Sequence, residues 1–264
     1  MRRLISVVLA IAAMAVSMMA GDLKITFNAE AKAMLRTQKS TETNYYSSRY
    51  QLVRNEKEKT DKLTDYEGLV TYEIDHKKKT IQKVTMDDIA KMMELLSTFM
   101  EENKDAKDRL DKMLGGDADA AASVKRGGAE VVAGRTCNKW NVSIGKTIVS
   151  NFSVDPTLEL PIPQTGEAIQ LQNAMMMMIP GIGSALAKFA EENAKIKGVR
   201  LRTEMVMKMG PITIRATREA VKIEEGPIPA SVFELPKGYK VEEPMKKEME
   251  ELKKKLEKAA SKKK

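Results

Sequence analysis

The sequence predicts an α+β fold in which one antiparallel sheet carries most of the chain. Three observations point there: apolar residues alternate in period two from Asp22 to Thr85, the period turns helical at Thr85, and residues 198–226 read as a hairpin with a single register. With Gly210–Pro211 at a two-residue turn, Met209 faces Ile212, Met207 faces Ile214 and Met205 faces Ala216, while Arg202 meets Glu219 on the other face. The match weakens at Ala220 and Lys222, which predicts a bulge there.

In the first segment Ile25, Phe27 and Ala29 point one way and Lys24, Thr26 and Asn28 the other, as in a strand with one buried face. "YYSSRYQLV", "EGLVTYEID" and, beyond the turn "DHKKKT", "TIQKVTM" bring the count to four strands. Apolar residues then recur at 86, 89, 92/93, 96, 99/100, 110 and 113/114, one long amphipathic helix. Thr85 is its expected N-cap, Asp87 and Asp88 occupy its first turn, and Gly115–Gly116 stops it. "GGDADAAASVKRGG" (115–128) reads as a loop without core residues. Two strands follow in "EVVAGRTCNKWNVSI" and "KTIVSNFSVD", then a helical stretch from about 167 to 197 with a break near Pro180–Gly183. After the hairpin, "PASVFELPKGYKVEEP" closes a body spanning 21–244, and residues 245–264 form a basic amphipathic helix or tail.

Residues 1–20, "MRRLISVVLAIAAMAVSMMA", have the layout of a secretory signal peptide, so the expected location is periplasmic or secreted. No cysteine follows the apolar run, which excludes acylation as a lipoprotein. The net charge of +8 is concentrated at the ends: Arg2 and Arg3 leave with the leader, and the tail has nine Lys against four Glu. A nearly neutral body argues against nucleic acid as a partner. Cys137 is the single cysteine, so no intramolecular disulfide forms, and a buried, inert strand thiol is expected. His76 is the single histidine and reads as a solvated turn residue, which rules out His-dependent triads and multi-His zinc sites. "IPGIGSALAK" lacks the spacing of a phosphate loop. Neither an enzyme nor a cofactor is expected.

Four strands, a helix, two strands, a helical insertion and a closing hairpin, with the phrases "VVAGRTCNKWNV", "GVRLRTEMVMKMG" and "PASVFELPKGYK", resemble a bacterial exported family of unknown function. That family stands near the LolA/LolB-type periplasmic lipoprotein carriers, and the likeness spans residues 22–241. The resemblance implies a strongly curved antiparallel sheet, an incomplete barrel round an apolar cavity, with helices as plugs. It implies a carrier or sensor of an apolar small molecule, lipid or acyl chain. By face, Met92, Leu96 and Phe99 on the first helix, Met176 and Ile179 on the second, and Met205, Met207 and Ile214 on the sheet are expected to line the site.

Three other readings compete. "AMMMMIPGIGSALAKFA" (174–190) is too short to span a membrane, because Lys188 ends the apolar run short of the ~20 residues needed. The methionines could hold Cu(I), yet successive helical residues point ~100° apart, so at most about two of Met175–Met178 could face one ion. The chain could also be a non-catalytic envelope structural or interaction module with a filled core. In the tail, Met245, Met249, Leu252, Leu256 and Ala259 form a heptad seam. Read alone, the seam is too short to stand as a coiled coil, so a solvated helix is expected, one whose removal leaves thermal stability nearly unchanged; contact with an anionic membrane surface or a partner helix are its other expected roles.

Export is directly testable: the N-terminus of the exported protein is expected between residues 18 and 22. Intact mass of the secreted or periplasmic fraction checks it, and a retained Met1 refutes it.

Overall fold

The computed structural model describes residues 21–33, 36–102, 122–145, 148–163, 165–168, 171, 191–209 and 212–262. Among them, β1 (Leu23–Ala33), β2 (Arg36–Tyr46), β3 (Tyr50–Asn55), β4 (Thr60–Asp65), β5 (Val70–Asp75) and β6 (Thr80–Thr85) precede helix α1 (Met86–Glu102). Next come β7 (Ala122–Val132), β8 (Arg135–Ile144), β9 (Ile148–Asp155), β10 (Val199–Met209) and β11 (Ile212–Glu225). A 3-10 turn (Ala230–Phe233), β12 (Lys240–Glu242) and α2 (Pro244–Lys262) close the chain. The twelve strands form one open sheet in the order β12-β6-β5-β4-β3-β2-β1-β11-β10-β9-β8-β7. Every pairing is antiparallel except that of β12 with β6.

Six strands, not four, precede α1, and the reason lies in their turns. β3, β4, β5 and β6 start at Tyr50, Thr60, Val70 and Thr80, a ten-residue repeat of six in strand and four in turn. The left-handed position of each turn is not glycine; Lys59, Leu69 and Lys79 take that conformation with φ of 60°, 47° and 55°. An Asn or Asp at the strand end closes each turn instead. Asn55 Oδ1 accepts the Glu58 N–H, Asp65 Oδ1 those of Glu67 and Gly68, and Asp75 Oδ1 those of Lys77 and Lys78. Neighbouring turns are tied together as His76, Met86 and Lys240 donate N–H groups to the carbonyls of Lys59, Leu69 and Lys79. β2, "RTQKSTETNYY", is polar along most of its length and has no apolar alternation to reveal it.

β7 (Ala122–Val132) is a second correction, since it starts within residues 115–128, where a loop was expected. Gly127–Gly128 sits in the register shift between Arg126 and Ala129, so the two glycines make a bulge rather than a break. The β10–β11 hairpin has the register read from the sequence, Met209 with Ile212 through Arg202 with Glu219. Its bulge falls at Val221, because Thr26 of β1 faces Lys222 while Phe27 faces Ala220. Gly198 enters β10 at φ +106°, where an added Cβ would lie 2.3 Å from the Asp155 carbonyl oxygen. Only glycine fits that approach.

Alternation along β1 puts Leu23, Ile25 and Phe27, at most 1 % exposed, on the face covered by the two helices. α1 opens as expected: Thr85 Oγ1 accepts the Asp88 N–H at 3.1 Å and Asp88 accepts the Thr85 N–H at 3.2 Å, a reciprocal capping box. Because β12 runs parallel beside β6, α1 and α2 leave the same end of the sheet and pack against each other. Ile89 and Met92 of α1 and Met245 and Met249 of α2 enter one core with Leu23, Ile25, Phe27 and Leu201. The expected solvated helix is therefore corrected. A seam too short to pair with a second chain finds α1 of its own chain as partner, and Leu252 packs beside it.

Cys137 is wholly buried, and burial pushes its thiol pKa up, as an inert strand thiol requires. His76 is not a solvated residue: its Nδ1 lies 3.1 Å from Tyr239 Oη and its Nε2 3.3 Å from Asp61, which also bonds Arg54 at 3.1 Å. This network ties the approach to β12 onto the β3–β6 meander. On the same side Phe233 stacks on Tyr50 with centroids 5.4 Å apart, within a second apolar cluster of Leu52, Leu63, Ile74 and Ile81 on the sheet's opposite face.

The packing of α2 makes a prediction. Met249→Ala should cost about 2–5 kcal/mol in urea unfolding, and removal of residues 245–264 should lower the thermal midpoint by many degrees. An unchanged midpoint would refute the packing.

Candidate functional site

Three cross-strand rows build the helix-side face beyond the sealed core. Ala29, Arg218, Thr203, Phe152 and Trp140 are in register across β1, β11, β10, β9 and β8, followed by Ala31, Ala216, Met205, Ser150 and Val142. The third row is Ala33, Ile214, Met207, Ile148 and Ile144. Exposure changes steadily along the last two. Val142, Ile144 and Ile148 are wholly buried, Met205, Met207, Ile214 and Ala216 are half-buried, and Ala31 and Ala33 are exposed. An apolar surface sealed toward β8 thus opens toward β1.

Two cations stand at the edge of this surface. Arg218 lies over the Phe27 ring, 3.5 Å from its centroid, and pairs with Glu42 at 3.4 Å. Arg200 lies 4.6 Å from the centroid of Phe152 and donates to the carbonyl and side-chain oxygens of Asn193. Burial pushes its pKa down, and its Nε finds no hydrogen-bond partner among the described residues. Ser150 Oγ, buried in the middle row, is also without one.

The residues expected to line a ligand site fall in different places. Met92 lies in the helix-covered core with Leu96 packed beside it, and Phe99 is half-buried further along α1. Met207 packs against a separate cluster of Val142, Ile144, Ile148, Phe152, Val154 and Ile196, with Ile214 as its cross-strand partner and Met205 two residues away. Met176 and Ile179 lie outside the described residues. Sequence reasoning missed the arginines and Ser150, although the register read for Met205 and Met207 already places Arg218 on the same face.

The open grooves lie on the other face. One, of about 880 Å³, is lined by polar and charged residues including Glu30, Lys39, Thr41, Arg202, Glu204 and Glu219. A neighbouring groove of about 300 Å³ shares Arg202 and Glu204 and adds Glu130, Lys139 and Asn151. Between them Glu130 accepts from Ser153 Oγ and pairs with Lys139 at 3.1 Å and Arg202 at 3.3 Å, while Arg202 also binds Glu219 at 2.7 Å. Glu130 of β7 thus reaches β10 across two strands, and Arg135 of β8 likewise reaches Glu225 of β11.

The fold and this face define an open, largely antiparallel sheet protein with few helices. No family model and no curated relative match the chain. Similar solved structures include an uncharacterized conserved protein from Thermus thermophilus, 8 % identical with a TM-score of 0.44 over 85 % of this chain and 91 % of that one. A putative outer membrane lipoprotein-sorting protein domain from Vibrio parahaemolyticus is 7 % identical, TM-score 0.31, over 81 % of this chain and 89 % of that one. MucB in complex with MucA(peri) is 10 % identical, TM-score 0.35, over 85 % of this chain and 57 % of that one. At these values the likenesses leave function to be argued from the site.

The Glu130 network predicts a pH dependence. The Ser153 hydrogen bond, then Lys139 and Arg202, hold the Glu130 carboxyl below the usual carboxylate range. A depressed folded pKa adds stability above the unfolded pKa that is lost as pH falls through the folded one. Glu130→Gln should therefore be less stable than the parent by about 1 kcal/mol at neutral pH and equal to it at a pH below the folded pKa of Glu130. Urea midpoints at both pH values check this; a gap that persists in acid refutes it.

Proposed function

We propose that this chain is an exported, non-catalytic envelope protein that holds an apolar ligand, a lipid or acyl chain, as carrier or sensor. One observation carries the reading: the apolar rows of β1, β10 and β11 continue the sealed core but stay half-covered at Met205, Met207, Ile214 and Ala216. Half-covered apolar surface in register with a core is a place where a chain can lie without breaking any backbone hydrogen bond. Methionine suits it, because a flexible thioether side chain repacks round ligands of different shape. A sheet curved over this face would deepen the surface into a cavity. The resemblance to an exported family that stands near the lipoprotein carriers supports the same role.

A second reading, an interaction module with a filled core, draws support from the charged character of both open grooves. Native mass spectrometry of protein purified from its own host separates the two: co-purifying lipid supports the carrier, and a clean apo mass supports the module.

Substitution tests the face itself. Met207→Leu keeps volume and should cost less than about 1.5 kcal/mol. Met207→Glu should leave the sheet folded by circular dichroism, since a half-covered side chain can hydrate, yet abolish uptake of an apolar fluorescent probe. Outright unfolding of the Glu variant would make Met207 ordinary core and remove the main support for a ligand.

A further inference from the structure

We infer that the distal half of α2 is a docking surface for an anionic lipid bilayer, binding through charge and without insertion. The helix divides along its length. From Pro244 to Glu251 it has two lysines and three glutamates, and from Leu252 to Lys264 the sequence has seven lysines and one glutamate. The first half is the anchor, where Met245 and Met249 are buried in the core and Lys246 pairs with Glu243 at 2.7 Å. Beyond it Lys253, Lys254 and Lys255 are exposed, and among the described residues no ion pair reaches any of them. Lysines at a helix C-terminus also favour the helix dipole, but that effect acts only within the last turn, and these three lie further back. Uncompensated positive charge on a rigid mount, beside a nearly neutral body, fits a surface that is itself uniformly negative.

Met245, Met249 and Leu252 pack in the core with α1 and Leu256 is half-buried, so among the described residues the helix exposes no apolar side chain to bury in acyl chains. Among the described residues no helix is long and apolar enough to cross a membrane. The contact is therefore peripheral, screened by salt and reversible. It is independent of any ligand on the sheet.

The test uses the chain from Gly21 onward, which holds every described element, in flotation with vesicles of phosphatidylglycerol and phosphatidylcholine. Binding is expected at about 0.05 M salt and release at about 0.5 M, with no retention on phosphatidylcholine alone. Lys253→Gln, Lys254→Gln and Lys255→Gln together keep helix propensity and should weaken binding by about tenfold or more at unchanged circular dichroism. Equal binding by the folded triple variant, binding to neutral vesicles, or no binding to anionic vesicles at low salt would each overturn the inference.

Discussion

The pairing of β1 with β11 is the constraint on which the rest of the molecule depends. β1 stands between the β2–β6 meander and the β7–β11 half, so no other pairing joins the two halves of the sheet. It brings Leu23 opposite Glu225, a closure of about 200 residues whose entropic cost only a well-buried interface can offset. Leu23, Ile25 and Phe27 supply that burial. They are the most enclosed residues of β1 and touch both helices' core. The Val221 bulge lies within this pairing and adjusts the register, so the apolar side of β11 stays in phase with that of β1.

From this seam the two faces of the sheet diverge. On the helix side burial is complete where α1 and α2 pack and partial along the rows of Met205 and Met207. On the other side the Glu130, Arg202 and Glu219 network links the same strands through charge, with the cross-strand pairs screening one another. Along β1, β10 and β11 the sheet therefore has a half-covered apolar surface on one face and a charged network on the other.

α2 has two roles that follow from one sequence pattern. Its seam completes the core that α1 alone would leave exposed, and its charge lies on the part that the core does not hold. A surface contact through lysines on a packed helix would fix the orientation of the body with respect to whatever they meet. A disordered basic tail would bind without imposing any orientation.

Local chemistry was enough to read several elements from the sequence alone. Period-two alternation placed β1, a capping residue placed the start of α1, and complementary pairs on both faces placed the β10–β11 register, because each depends on residues near one another in the chain. β2 and β4 were not legible, since an interior strand can be polar when its neighbours hold it by backbone hydrogen bonds, and the β3–β6 turns hide their left-handed residue under Lys or Leu. The regular Asn55, Asp65 and Asp75 at ten-residue intervals were the available signal. Which residues form the candidate site was a tertiary matter: Met92 and Met207 read alike in sequence, yet Met92 is sealed where α1 packs on the sheet while Met207 stays half-covered. The same holds for α2, whose heptad seam states only that a partner exists. The parallel setting of β12 beside β6 made that partner α1, because it starts both helices from one end of the sheet.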